Sequence, residues 1–426
     1  MDLSDFNLWW KKQIIPPSLK GRTRKAFDSL LPYLTRRQGV ILEGIRRAGK
    51  TTLMYQLIDY LLIELKVDSF HILYYSFDEP GGNLDEIIKY YSTYILKKDL
   101  SNEKVFFFFD EIQKLPSWAD KIKILYDTNP SAKIFLSGSA SLVLEKGQKE
   151  SLAGRFFTIH INPLDFVEFL NFKKITYDPS RYQIYRLELE KELVNYIKTS
   201  GFPELVNESD DNFIKEYFRQ TITDRIVFQD IPQTAGINEP ELLKEIYLSI
   251  CANPGQILRY NSFGSDFKRD RRTIQKYIYY LEYSFLAKIL FNYSPNPLTR
   301  YKKNRKIYPA YTAFSFATLR EDIDIKNFIG KIAENLVLQK LNTNFFYRTD
   351  RGKEIDFIAT ENNKVIPYEV KYRKNIDKSD ISTINSFMKE FKTSVGVIVS
   401  ENTEEVQLTE NGQIKFVPLI KFLLEE

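Results

Sequence analysis

Cysteine and histidine are nearly absent: one Cys, Cys251, and two His stand in 426 residues. A single thiol excludes an intramolecular disulfide, and so few imidazoles and thiols exclude a Cys/His zinc site. Methionine is scarce too, at three. No apolar run approaches the ~18 residues that would suggest a membrane span. The opening MDLSDFNLWWKK lacks the basic-then-apolar order of a secretory signal, so the expectation is a cytoplasmic protein without a membrane partner. No repeat or low-complexity segment stands out. What is abundant is aromatic and charged: 27 Tyr, 32 Phe, and 27% charged residues beside 43% hydrophobic ones, the balance of a globular chain. The length allows two or three domains.

Gly44 to Thr51, GIRRAGKT, fits G-x-x-x-x-G-K-[ST] at every fixed position. It lies between the apolar run Val40 to Leu42 and a helical pattern carrying Leu53, Leu57, Tyr60 and Leu61. Glycines at both ends let the backbone turn its N–H groups toward phosphate oxygens, and the helix that follows adds its positive end. The expected nucleotide cradle is therefore Gly44, Ile45, Arg46, Arg47, Ala48, Gly49, Lys50, Thr51 and Thr52. Lys50 would reach the β- and γ-phosphates of ATP, and the Thr51 hydroxyl would ligate Mg²⁺.

A Mg²⁺ site needs a carboxylate, and an attacking water needs a base. VFFFF, Val105 to Phe109, reads as a buried strand of a parallel sheet, and it ends in Asp110 and Glu111. Asp110 is placed for the Mg²⁺ shell and Glu111 for the water. The next buried strand, KIFLSGS, offers Ser137 or Ser139 as a sensor of the γ-phosphate, and either would serve equally as a turn residue or helix cap. Arg155, in SLAGR, is the nearby arginine that could meet the γ-phosphate of its own or a neighbouring subunit, or else form a surface ion pair.

From about Tyr182 to Ile250 strand-like runs give way to helices, and then two helices, the second beginning near Asp270, precede the hairpin-like NPLTRYKKNRKIYP. This is the outline of a winged helix-turn-helix. Between Gly255 and Lys306 twelve basic residues face three acidic ones, a net +9 in a chain whose total is +5. Such a concentration suits a phosphate backbone, so DNA is the expected partner. Arg269, Arg271, Arg272 and Lys276 open the recognition helix, and Arg300, Lys302, Lys303, Arg305 and Lys306 lie in the wing.

A new α/β pattern follows Phe328. In FIGKIAENLVLQKLN, Glu334 falls among apolar neighbours on the helical wheel, where a carboxylate is costly without a partner. Asp356 sits between Ile355 and Phe357, and Glu369 and Lys371 share one face of the strand in YEVKY. A helical Glu, an Asp and then Glu-x-Lys form the constellation of PD-(D/E)xK nucleases. There the carboxylates hold a divalent metal against the scissile phosphate and the lysine assists the attacking water.

Taken in order, GIRRAGKTTL, FFFFDEIQ, FLSGSAS, SLAGR with INPLDFVEFL, SGFPELV, the basic segment, and GKEIDFIAT with YEVKY resemble the prokaryotic P-loop ATPases of the AAA+ superclass that carry a PD-(D/E)xK-like C-terminal domain. The resemblance implies ATP and Mg²⁺ as cofactors, with Lys50, Thr51, Asp110 and Glu111 at matching positions. It also implies an α/β fold: a P-loop NTPase parallel sheet with helices on both faces (residues 1–175), a helical and winged-helix segment (176–320), and a small restriction-endonuclease-like domain (321–426). The chain departs from the pattern at KIYPAYTAF, where Ala310 and Tyr311 stand in place of an acid. Two functions remain open: an ATP-driven DNA-associated machine, in one chain or as a homo-oligomer, and a nucleotide-dependent switch that binds a protein partner.

Overall fold

A computed structural model describes residues 3–79, 81–138, 152–319, 325–361, 364–373, 376 and 378–425. The chain divides into two compact units.

The first unit comprises Met1–Leu164 with Phe202–Glu204 and Asp230–Gly236. Its five strands are β1 (Gly39–Glu43), β2 (Ile72–Ser76), β3 (Phe106–Asp110), β4 (Lys133–Gly138) and β5 (Phe156–His160). They pair in the order β2-β3-β4-β1-β5, and every pairing is parallel. The phenylalanine run explains why β3 lies inside. Phe107 and Phe109 stack on one face at 5.7 Å, while Phe108 stacks on Phe135 of β4 at 4.9 Å on the other. All three are fully buried, each worth about 1.5–3 kcal/mol relative to exposure.

Trp9 and Trp10, which precede the first strand in the sequence, are seated on this unit. Both indole N–H groups donate to Ile72 O, at 3.2 and 3.0 Å. Beside them Asn7 closes a two-way clasp on Tyr74: its amide donates to Tyr74 O at 3.0 Å and accepts from Tyr74 N at 2.7 Å.

The second unit comprises Asp165–Gly201, Leu205–Gln229 and Ile237–Glu426. Among the described residues no strand lies between β5 and residue 256, in keeping with the helical reading of that stretch. Two π-helical runs, Tyr217–Asp224 and Ile226–Asp230, have no signal in the sequence. The helices Tyr260–Asp266 and Arg271–Tyr283 follow, and Asp270 caps the second by accepting from Arg272 N at 2.8 Å and Thr273 N at 3.1 Å.

The remaining strands are β6 (Gln256–Leu258), β7 (Ala287–Asn292), β8 (Arg305–Pro309), β9 (Phe345–Arg348), β10 (Glu354–Glu361), β11 (Lys364–Lys371), β12 (Val395–Ser400), β13 (Glu405–Thr409) and β14 (Gly412–Pro418). They form one sheet in the order β13-β14-β12-β11-β10-β9-β7-β8-β6. The basic hairpin β7–β8 thus joins the C-terminal strands directly, through parallel pairing of Phe291 with Phe345 and Asn292 with Phe346. Among the described residues no helix is long and apolar enough to cross a membrane.

Candidate nucleotide site and carboxylate cluster

The nucleotide loop leaves β1 at Glu43 and enters the helix Lys50–Ile63. Two glycines are needed for different reasons. A Cβ on Gly44 would lie 2.2 Å from the Ile161 carbonyl oxygen, and Gly49 takes φ +93°, in the left-handed region. Lys50 is buried, and its ammonium donates to Gly44 O at 2.9 Å and Ile45 O at 3.0 Å. Burial pushes its pKa down, while Glu111 and Asp110 pull the other way.

Because β3 runs parallel to β4, and β4 to β1, the acids at the end of β3 arrive on the same side of the sheet as the loop. The Thr51 hydroxyl donates to Asp110 Oδ2 at 2.6 Å, which unites the two residues expected to share Mg²⁺. Tyr74 donates to the same oxygen at 3.0 Å, and Ser137 donates to Asp110 Oδ1. Burial, and then the charge of Glu111, push the Asp110 carboxyl above its usual range. A cation brought to this oxygen pair would offset that cost.

Glu111 adopts φ +49° without being glycine, directly after the strand. A non-glycine residue in that region is a local strain that persists where its surroundings impose it. Its N–H is held by Asp110 Oδ1 at 3.1 Å and by the Ser137 hydroxyl at 3.3 Å, and Gln113 donates to its carboxylate. Ser137 therefore acts on the acids of β3, while Ser139 lies outside the described residues.

Arg155 does not join this constellation. It precedes β5, whose Phe156 pairs with Gly39 at the start of β1, so Arg155 is at the sheet end opposite the loop. The length of strand β1 separates the two ends, about 16 Å at the usual rise. Its guanidinium pairs with Asp127 at 2.8 and 3.0 Å, the surface ion pair that the sequence also allowed.

The loop arginines have partners with no local signature in the sequence. Arg46 makes a two-pronged bond to Asp230, at 2.7 and 3.0 Å, and each side chain is only 14% exposed. Burial alone would lower the Arg46 pKa, but the Asp230 carboxylate outweighs it. Arg47 pairs with Glu204, from the SGFPELV stretch, and Arg24 donates to Ala48 O at 2.9 Å. Asp230, Glu204 and Arg24 all belong to the first unit.

In the second unit the nuclease-like residues do converge. Asp356 N donates to Glu369 Oε2 at 3.2 Å, Val370 N donates to Asp356 Oδ2 at 2.9 Å, and Lys371 pairs with Glu369. Glu334 accepts from the Tyr308 hydroxyl at 2.9 Å. Burial, and then the charge of Asp356, push both Glu334 and Glu369 above the usual carboxylate range.

A divalent ion brought to this arrangement would have to displace a buried ammonium. No three acids, histidines or cysteines among the described residues are placed to share one metal. Amid the carboxylates lies Lys306, which sequence reading put with the solvent-facing bases of the wing. Its side chain is 5% exposed, and its ammonium stands 2.6 Å from Glu354, 3.4 Å from Asp356 and 4.0 Å from Glu334.

Three family models match successive parts of the chain: residues 36–170 match one described as an AAA domain, and residues 190–320 and 329–422 match domains of unknown function (DUF8612 and DUF4143). Residues 36–170 are an AAA-type ATPase-like domain. Curated relatives include the uncharacterized protein MJ1544 of Methanocaldococcus jannaschii, 29% identical over 83% of this chain and 79% of the relative. An uncharacterized protein of Haemophilus influenzae is also 29% identical, over 78% of this chain and 82% of its own length. Among solved structures, the chain is similar to the Walker-type ATPase PABY2304 of Pyrococcus abyssi, with a TM-score of 0.38 and 14% identity over 72% of this chain and 97% of that one.

Signals for the missed residues differ in kind. Glu354 stands two residues before Asp356, so strand alternation already put both on one face. Lys306 and Tyr308 share a face of β8 by the same rule, but nothing local says that this face meets the acids. The partners of the loop arginines in the AAA-type domain come from 157 and 184 residues away.

Proposed function

We propose that the AAA-type domain binds and hydrolyses Mg²⁺-ATP, and that the chain uses this cycle to act on DNA. The observation that carries the ATPase reading is the Thr51–Asp110 bond of 2.6 Å beside a backbone-held Glu111. A phosphate cradle, a Mg²⁺-ligand pair and a base for water then stand on one side of one parallel sheet. Mg²⁺, when bound, would be held by Thr51 and Asp110 and would neutralise charge on the phosphates. Lys50 would bind the phosphates, and Glu111 would orient the attacking water and take its proton.

The DNA reading rests on the exposed bases of the second unit. Arg271, Arg272, Lys276 and Lys302 are exposed and Lys303 is half-buried, whereas Arg269 is tied to Glu239 at 3.1 Å. Neutralising Arg271, Arg272, Lys302 and Lys303 together is expected to weaken DNA binding and to flatten log K against log salt by up to about 0.9 for each phosphate left without its cation. Binding titrations at several salt concentrations check this, and an unchanged slope would remove these residues from the interface. ATPase activity with and without single-stranded, duplex and branched DNA tests the coupling.

A second reading, a nucleotide-dependent switch on a protein partner, is favoured by two bases that are turned inward. The Arg300 guanidinium lies 4.8 Å from the Phe345 ring centroid and that of Arg305 4.7 Å from Phe291, so both are engaged in cation–π packing. Hydrolysis that no DNA accelerates would select this reading.

A further inference from the structure

Three contacts of different chemistry tie the basic hairpin to the C-terminal strands. One is backbone pairing of β7 with β9. Another is an amide clasp, in which Asn292 donates to Arg348 O at 2.8 Å and accepts from Arg348 N at 3.1 Å. The third is Lys306, at the start of β8, whose ammonium reaches Glu354 and Asp356 of β10.

We propose that Lys306 is the resident cation of the carboxylate cluster, standing where the nuclease pattern would put a divalent metal, and that the cluster is a charge-locked joint between hairpin and C-terminal strands. The electrostatics require a cation of some kind. Glu334, Glu354, Asp356 and Glu369 contribute four carboxyl groups, with Asp356 and Glu369 buried, and converging carboxylates repel unless a positive charge lies among them.

Three of the four are met by cations of the chain within 3.4 Å, and Glu334 accepts from the Tyr308 hydroxyl with Lys306 at 4.0 Å. Lys306 answers Glu354 and Asp356, Lys371 answers Glu369, and Arg348 adds a second contact to Glu354 at 3.1 Å. The Lys306 ammonium is further enclosed by the rings of Phe346 and Tyr308, at 5.7 and 5.9 Å from their centroids, and it donates to the Tyr308 hydroxyl at 3.4 Å. An ammonium this buried, held by two carboxylates and flanked by two rings, acts as a structural ion. It also explains why a strongly basic segment places one of its lysines inside the protein.

The test uses the full-length chain without nucleotide. The unmodified protein is expected to take up no Mn²⁺ at this cluster, where uptake at the cluster means the part abolished in Asp356→Asn. Lys306→Met leaves the carboxylates uncompensated, so its unfolding midpoint should fall clearly. Lys306→Met with Asp356→Asn removes one charge from each side and should recover part of that fall. Where Lys306→Met alone fails to fold, the double variant still reports, because relief of repulsion should restore folding. Two results would overturn the proposal: stoichiometric Mn²⁺ uptake by the unmodified chain that Asp356→Asn removes, or a double variant no more stable than Lys306→Met, which would make the lysine a packing residue.

Discussion

Glu111→Gln is expected to keep ATP bound within a few-fold of the parent affinity while slowing hydrolysis by about 10²–10⁴-fold, the usual contribution of a positioned general base. The amide preserves shape and the backbone bonds at 3.1 and 3.3 Å that fix the residue, because those bonds use its N–H and not its carboxylate. What disappears is the negative oxygen that can accept a proton from water. Equilibrium binding of a fluorescent ATP analogue, set beside phosphate release under saturating ATP, separates the two effects. Turnover at the parent rate would move the base to another residue. Lys50→Ala provides the contrast, since it should reduce binding and turnover together.

The second large effect is an opposition of sign at Arg46 and Asp230. Arg46→Ala strands a mostly buried carboxylate beside the loop. We expect a stability loss of about 2 kcal/mol, below the ~3–5 kcal/mol of a fully buried pair because both partners keep some exposure. It should also weaken ATP binding, since the Asp230 charge would then face the phosphates without its partner. Asp230→Asn frees the guanidinium instead, and a freed arginine within the loop is available to a phosphate oxygen. That variant should bind ATP more tightly than the parent. Thermal unfolding together with nucleotide titration of both variants is the measurement, and equal shifts in affinity for the two would end the idea that Asp230 and phosphate compete for Arg46.

The sequence disclosed what its own neighbourhood encodes. The loop from Gly44 to Thr51 is contiguous, and VFFFF followed by two acids carries both its burial and its chemistry within seven residues, so strand, loop and acids are legible in the sequence. The α/β class followed from them. Pairs brought together by the fold were opaque: Arg46 with Asp230, Glu334 with Tyr308, and Lys306 with Glu354. Lys306 is the clearest case. A lysine in a run of lysines and arginines reads as solvated because most are, and only the strand that meets the C-terminal segment buries it. Arg155 shows the converse, since closeness in sequence to the sensor strand said nothing about which end of the sheet it would occupy.

The continuous sheet from β13 to β6 bears on how this chain can be cut. A truncation after residue 320, at the junction that the sequence suggests, would part β7 from β9, which are hydrogen-bonded neighbours in one sheet. The shortened protein would carry β7 with a bare edge, and the released C-terminal piece would carry β9 in the same condition. Exposed edges of that kind recruit other strands, so both halves should self-associate. Shuffling of the C-terminal segment onto other ATPases would therefore be tolerated only when β6, β7 and β8 travel with it, which puts the natural seam of the chain before β6 and not at the helix that follows the hairpin.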